Sequence, residues 1–163
     1  SDVYKRQLAT RYTQQFLKEV AWGELDVLIL DLPPGTGDIQ LTIVQTLALD
    51  GAVIVTTPQE VALIDARKAI SMFAKVNVRI LGIIENMSWF QCDQGKRYHL
   101  FGESGGRLEA ERLGVPILAE IPIDPETRLR CDQGQPIALT SPAESHVAEA
   151  FYKASQSLLA QTK

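Results

Sequence analysis

The most chemically suggestive pattern in this chain is an aspartate at the end of an apolar run, followed by two prolines and two glycines. Val27-Leu28-Ile29-Leu30-Asp31-Leu32 leads into Pro33-Pro34-Gly35-Thr36-Gly37-Asp38. A carboxylate leaving a buried strand can hold Mg²⁺, usually through the ion's hydration shell. The prolines fix the exit path, and the glycines let the backbone approach a ligand closely. An amide at Gly35 could then meet a terminal phosphate. An aspartate that merely caps a turn accounts for the same residues, and the motif alone leaves both readings open.

Pro33-Pro34-Gly35-Thr36-Gly37 also matches the start of the phosphate-cradling loop of AAA-type ATPases. That loop continues with a lysine for the β- and γ-phosphates. Asp38 stands in its place and would repel them. The pattern G-x-x-x-x-G-K-[ST] occurs nowhere else. Gly95-Lys96 is followed by Arg97 and has Phe90 where the first glycine is required. Gly102-Glu103-Ser104-Gly105-Gly106 has no lysine.

The surrounding pattern must position these residues. Leu8, Tyr12, Phe16, Leu17 and Val20 have helical spacing, predicting a helix over Leu8–Val20. Three apolar runs read as strands buried on both faces: 27–32, 52–57 and 79–86. Helices are expected over Ile39–Leu49 and Val61–Lys75. Met87–Gly106, with Trp89, Phe90, Tyr98 and Phe101, reads as a hairpin or a long loop. Beyond it come a helix over Leu108–Leu113 stopped by Gly114, a strand at Ile117–Ile121 and a short helix at Pro125–Cys131. Ser141-Pro142-Ala143-Glu144 resembles a cap opening a final helix that runs to about Leu159. Alternating helices and apolar strands imply a doubly wound α/β fold with a mainly parallel sheet. Ligands in such sheets bind at the carboxyl ends of the strands. That edge receives 31–38, Thr57-Pro58, Asn86 and 122–124.

The chain has 163 residues, 22% of them charged, and a formal charge of −4, which suits one domain with a real core. Scattered Lys and Arg argue against a nucleic-acid partner. No apolar run approaches the ~20 residues of a membrane span, and no signal peptide is visible. Cys92 and Cys131 are too few for a disulfide framework, so a reducing cytoplasm is the expected compartment. Cys-Asp-Gln-Gly occurs at both cysteines with different flanks, which reads as coincidence. Residues 1–7 fit no core pattern and read as a non-native leader, leaving 8–163 as the domain.

At this point the residues carry a resemblance. Trp22-Gly23-Glu24-Leu25-Asp26, 31–38, 56–66, Glu85-Asn86-Met87-Ser88, Phe101-Gly102 and Glu120-Ile121-Pro122-Ile123-Asp124-Pro125 are similar, in order, to signatures of the Mrp/ApbC family of iron–sulfur cluster carriers. That family belongs to the MinD/ParA-like branch of P-loop ATPases. The resemblance implies ATP and Mg²⁺ as cofactors, a homodimer, and apo iron–sulfur proteins as recipients. It implies that Asp31 is the Walker B acid and that Gly35 lies in the switch sensing the γ-phosphate. It also implies that Asn86 faces adenine, with Pro122 and Asp124 near the base or ribose. Plain turn and capping roles for Asn86, Pro122 and Asp124 stay open. Asp38, Gln59 and Asp65 match family motifs without a derivable role.

Two departures qualify this. The family's first strand and Walker A loop have no counterpart, nor does the catalytic Asp of its first switch, so this polypeptide by itself is expected to be inactive. Many members carry Cys-x-x-Cys soon after Glu-Asn-Met-Ser, where two pairs across a dimer bind one [4Fe–4S] cluster. Here Cys92 is followed by Gly95 at that spacing, leaving Cys92 as a single candidate ligand, with Asp93 and His99 as weak substitutes. A small buried thiol is the plainer role for Cys92 and more so for Cys131. The rivals are a MinD/ParA-type positioning ATPase and a non-catalytic pseudo-ATPase dimerising through Met87–Gly106. The first calls for a basic amphipathic C-terminal helix, which 151–163 lacks.

Overall fold

The computed structural model describes residues 11, 15, 19–33 and 35–162, with Asp38 described in its backbone alone. The leader expected at 1–7 and most of the helix expected over 8–20 lie outside the described residues. The named elements are α1 (Asp38–Thr46), β1 (Ala52–Thr56), α2 (Glu60–Lys75), β2 (Ile80–Gln91), β3 (Arg97–Tyr98), α3 (Gly105–Leu113), β4 (Ile117–Ile123), α4 (Pro125–Asp132), a 3₁₀ turn (Ile137–Leu139) and α5 (His146–Gln161).

β2 is the centre of the sheet. It pairs parallel with β1 on one side and with β4 on the other, and its far end folds back antiparallel onto β3. Period-two alternation splits the apolar strand residues between two faces. Ile54 and Ile83 join Val44, Ala66, Phe73 and Ala110, so α1, α2 and α3 cover one face. Leu118, Ala119 and Ile121 join Ile137, Val147, Ala150 and Ala154, so α5 and the 3₁₀ turn cover the other. Ile83 has no exposed surface, worth roughly 2 kcal/mol of burial. The expected doubly wound, mainly parallel α/β arrangement is therefore present, and the aromatic stretch after Met87 forms a hairpin.

Three expectations are corrected. Residues 27–32 do not form a strand: they run as coil, with Val27 50% and Ile29 81% exposed. A strand needs a neighbour for its backbone N–H and C=O groups. Among the described residues β1 pairs with β2 alone, and no strand pairs with 27–32. Second, α1 ends at Thr46, short of Leu49. Third, the final helix opens at Ser145, not Ser141. Ser145 Oγ accepts from the amides of Val147 and Ala148, while 142–144 form a turn.

Candidate functional site

The strand register levels Thr56 with Glu85 and Asn86 with Ile121. Thr57-Pro58, Asn86 and Pro122 therefore meet at the carboxyl edge of the sheet, as the topology implied. A turn from Phe101 to Gly106 closes over part of this edge. A methyl group added at Gly105 would lie 2.6 Å from the Pro58 carbonyl oxygen, so only glycine allows the approach. Thr57 Oγ1 is buried there without a hydrogen-bond partner.

Glu85 holds the turn in place. Its carboxylate, 2% exposed, accepts from Ser88 Oγ at 2.7 Å and from the Gly106 amide at 2.5 Å. An anion at the first turn of α3 is favoured by the helix dipole. Arg107 on α3 reaches Glu120 on β4 at 2.7 Å, and that hydrogen bond raises the arginine's pKa. Glu109, also buried, receives Arg67 Nε from α2 at 2.6 Å. Arg112 Nη2 lies 2.9 Å from its second oxygen, off hydrogen-bonding alignment. Arg67 is raised in pKa by its bonds to Glu109 first and Glu60 second.

Asp31 lies exposed in coil rather than at a strand end, and the described residues hold no group of three His, Cys, Asp or Glu side chains able to share a metal ion. These residues do not fit Mg²⁺ in this arrangement, and no step is derived through it. Gly35 has φ +98°, a conformation that favours glycine, in an exposed turn. That turn is tied to α1 by buried Gln40, whose Nε2 donates to the Pro33 carbonyl at 3.0 Å.

Asn86 is half-buried, and its Oδ1 accepts from the Met87 amide at 3.0 Å. Pro122 is buried beside it in the sheet. Asp124 is the N-cap of α4: its carboxylate accepts from the Glu126 and Thr127 amides and from Thr127 Oγ1. Cys92 turns the hairpin, its amide donating to the Lys96 carbonyl at 3.0 Å. Cys131 is exposed on α4, and both thiols are free. Sequence reasoning assigned no role to Gln40, Glu85, Ser88 or Glu109. A charged residue closing an apolar strand marked Glu85; nothing in the helical pattern marked Glu109. The half-buried Asn86 carboxamide is a polar group that suits a nucleoside, while the Thr57 hydroxyl is buried.

A family model described as ParA, the NUBPL iron-transfer P-loop NTPases, matches residues 2–159. The chain belongs to that family. Among the NUBPL iron-transfer P-loop NTPases and their relatives, an iron–sulfur cluster carrier protein of Deinococcus radiodurans is 54% identical, over 91% of this chain and 42% of its own length. The mouse iron–sulfur cluster transfer protein NUBPL is 41% identical, over 94% of this chain and 49% of its own. A nucleotide-binding protein from Archaeoglobus fulgidus, solved in complex with ADP, superposes with a TM-score of 0.71 at 44% identity, covering 78% of this chain and 53% of that one. The MinD cell-division ATPase of Pyrococcus furiosus, at 24% identity and a TM-score of 0.69, shares the fold over 91% of this chain and 57% of its own. This chain spans about half the length of the curated relatives it matches. Family membership agrees with the Mrp/ApbC resemblance read from the motifs. No helix among the described residues is long and apolar enough to cross a membrane.

Proposed function

We propose that this chain is part of an iron–sulfur cluster carrier in which ATP binding and hydrolysis govern cluster delivery. It works as a homodimer and hands its cargo to apo iron–sulfur proteins. The observation that carries this is the meeting of Thr57, Asn86 and Pro122 at one sheet edge, in a family whose relatives bear carrier names. The base and ribose lie against Asn86, Pro122 and the Asp124 turn, while Gly35 belongs to the segment that responds to the terminal phosphate. ATP supplies the free energy of hydrolysis; the chain's own residues orient the base.

Cys92 lies on the turn that extends β2 past Asn86 and is the thiol offered to the cluster. Two protomers bring two Cys92 thiolates, whereas a four-iron cluster takes four ligands. The partial ligation suits cargo that must leave. The positioning-ATPase reading gains nothing from α5, whose Val147, Ala150 and Ala154 are spent on the core.

The test is anaerobic reconstitution of the full-length protein with iron and sulfide. Wild type is expected to hold both, and Cys92→Ser to lose most of them while keeping its melting temperature. Absence of bound iron and sulfide in wild type refutes the carrier reading.

A further inference from the structure

The strand that carries Asn86 and leads into the Cys92 turn is interrupted between them. Asn86 pairs with Ile121 and Phe90 with Ile123, so Met87, Ser88 and Trp89 together oppose Pro122. Proline has no N–H for the ladder, which makes this the place where extra residues cost least pairing. Met87 has φ +56°, an uncommon conformation for a non-glycine residue. Such bulges recur next to active sites, where they re-aim the strand beyond them.

The bulge is locked from beneath. Ser88 is 2% exposed, and its Oγ lies 3.0 Å from the Glu85 carbonyl and 2.7 Å from the Glu85 carboxylate. The other carboxylate oxygen takes the Gly106 amide, linking the bulge to α3. His99, just past β3, donates Nδ1–H to the Ser88 carbonyl at 3.1 Å, linking it to the returning arm of the hairpin. On the outer side the Asn86 carboxamide oxygen accepts from the Met87 amide at 3.0 Å.

The Asn86 oxygen is therefore shared between the bulge and any base that claims it. We propose that Ser88 and Glu85 are positioning residues that convert occupancy at Asn86 into a change in the setting of the Cys92 turn. This rests on the carrier reading above and adds to it the route by which nucleotide reaches the thiol. A base amino group that draws on Asn86 Oδ1 weakens its hold on the Met87 amide. With Ser88 pinned to Glu85, the bulge responds as a unit and moves the hairpin; with Ser88 unpinned, the change is absorbed locally.

The experiment uses the full-length protein containing this chain. It compares the rate of Cys92 alkylation by iodoacetamide, followed by peptide mass spectrometry, with and without saturating MgADP. Wild type is expected to show a change of about five-fold or more, the lower end of ordinary site-to-site coupling. Ser88→Ala is expected to bind MgADP with wild-type affinity while the change falls below about two-fold. Glu85→Met keeps much of the side chain's volume while removing the carboxylate that Ser88 Oγ and the Gly106 amide donate to, and decides the matter if Ser88→Ala does not fold. It is expected to show the same loss of response. A full response in both folded variants overturns the inference, as does a wild type that binds MgADP with no change at Cys92. A wild type that binds no MgADP overturns the carrier reading itself, and this inference with it.

Discussion

The hydroxyl of Ser145 satisfies two amides that the start of α5 would otherwise leave unpaired, with Oγ 3.2 Å from Val147 N and 3.3 Å from Ala148 N. Ser141, four residues earlier, has the more familiar sequence signature, a serine followed by proline and an acid. Its Oγ accepts only from Ala143, at 3.4 Å in an exposed turn. Ser145→Ala is therefore expected to cost about 1 kcal/mol in urea unfolding. Ser141→Ala should stay within about 0.5 kcal/mol of wild type; equal losses at the two serines would show that the helix opens elsewhere. Both serines precede one apolar stripe, and the local signature favours the one that does not cap it. The choice is made by packing, because Val147 and Ala150 must face Leu118 and Ile121. Asp124 was legible as an N-cap from the proline that follows it at the first helical position, whereas the same cue after Ser141 leads only into a turn.

α3 is fastened at three points, to β2 through Glu85 and Gly106, to β4 through Arg107 and Glu120, and to α2 through Glu109 and Arg67. The third joins two full charges across α2 and α3, and the Glu109 carboxylate in it is buried and cannot turn to water. Removing Arg67 leaves Arg112 as its remaining cation, in poorer alignment. Breaking a fully buried pair costs about 3–5 kcal/mol. Arg67 keeps 35% of its side chain exposed, so Arg67→Ala is expected to lower the thermal unfolding midpoint by less than a fully buried pair would, with Arg67→Lys in between. An unchanged midpoint would mean that water or Arg112 already solvates Glu109. At this scale much of the sequence reading held, since β1, α2, β4 and α4 stand within a residue or two of the expected bounds and the turn residues punctuate them. The failure at 27–32 is instructive. Those residues have a strand's composition, but strand formation depends on a partner that local composition does not contain. Without one, Asp31 is not delivered to the sheet edge, and the Asp31–Asp38 motif is the part of the site least assembled.

Across the whole molecule, the groups suited to a nucleoside and those suited to phosphate are unequally represented. Thr57, Asn86 and Pro122 are together at the edge. No lysine-bearing phosphate loop occurs in the 163 residues, and the formal charge is −4. A triphosphate approaching this edge finds no lysine of a phosphate loop and meets a chain of net negative charge. What remains is a hydrogen bond or two, each worth about 1 kcal/mol net, plus partial burial of a base. Even millimolar affinity requires about 4 kcal/mol, so ATP binding to this polypeptide by itself is expected to be weaker than about 1 mM. Adenosine, which carries the base and ribose without the charge, is expected to bind at least as well as MgATP. Chemical-shift changes at Asn86 and Thr57 during parallel titrations with the two ligands would measure the difference. Micromolar, Mg²⁺-dependent ATP binding would show that these residues assemble a phosphate site from some other arrangement, with Asp31 drawn to the metal after all.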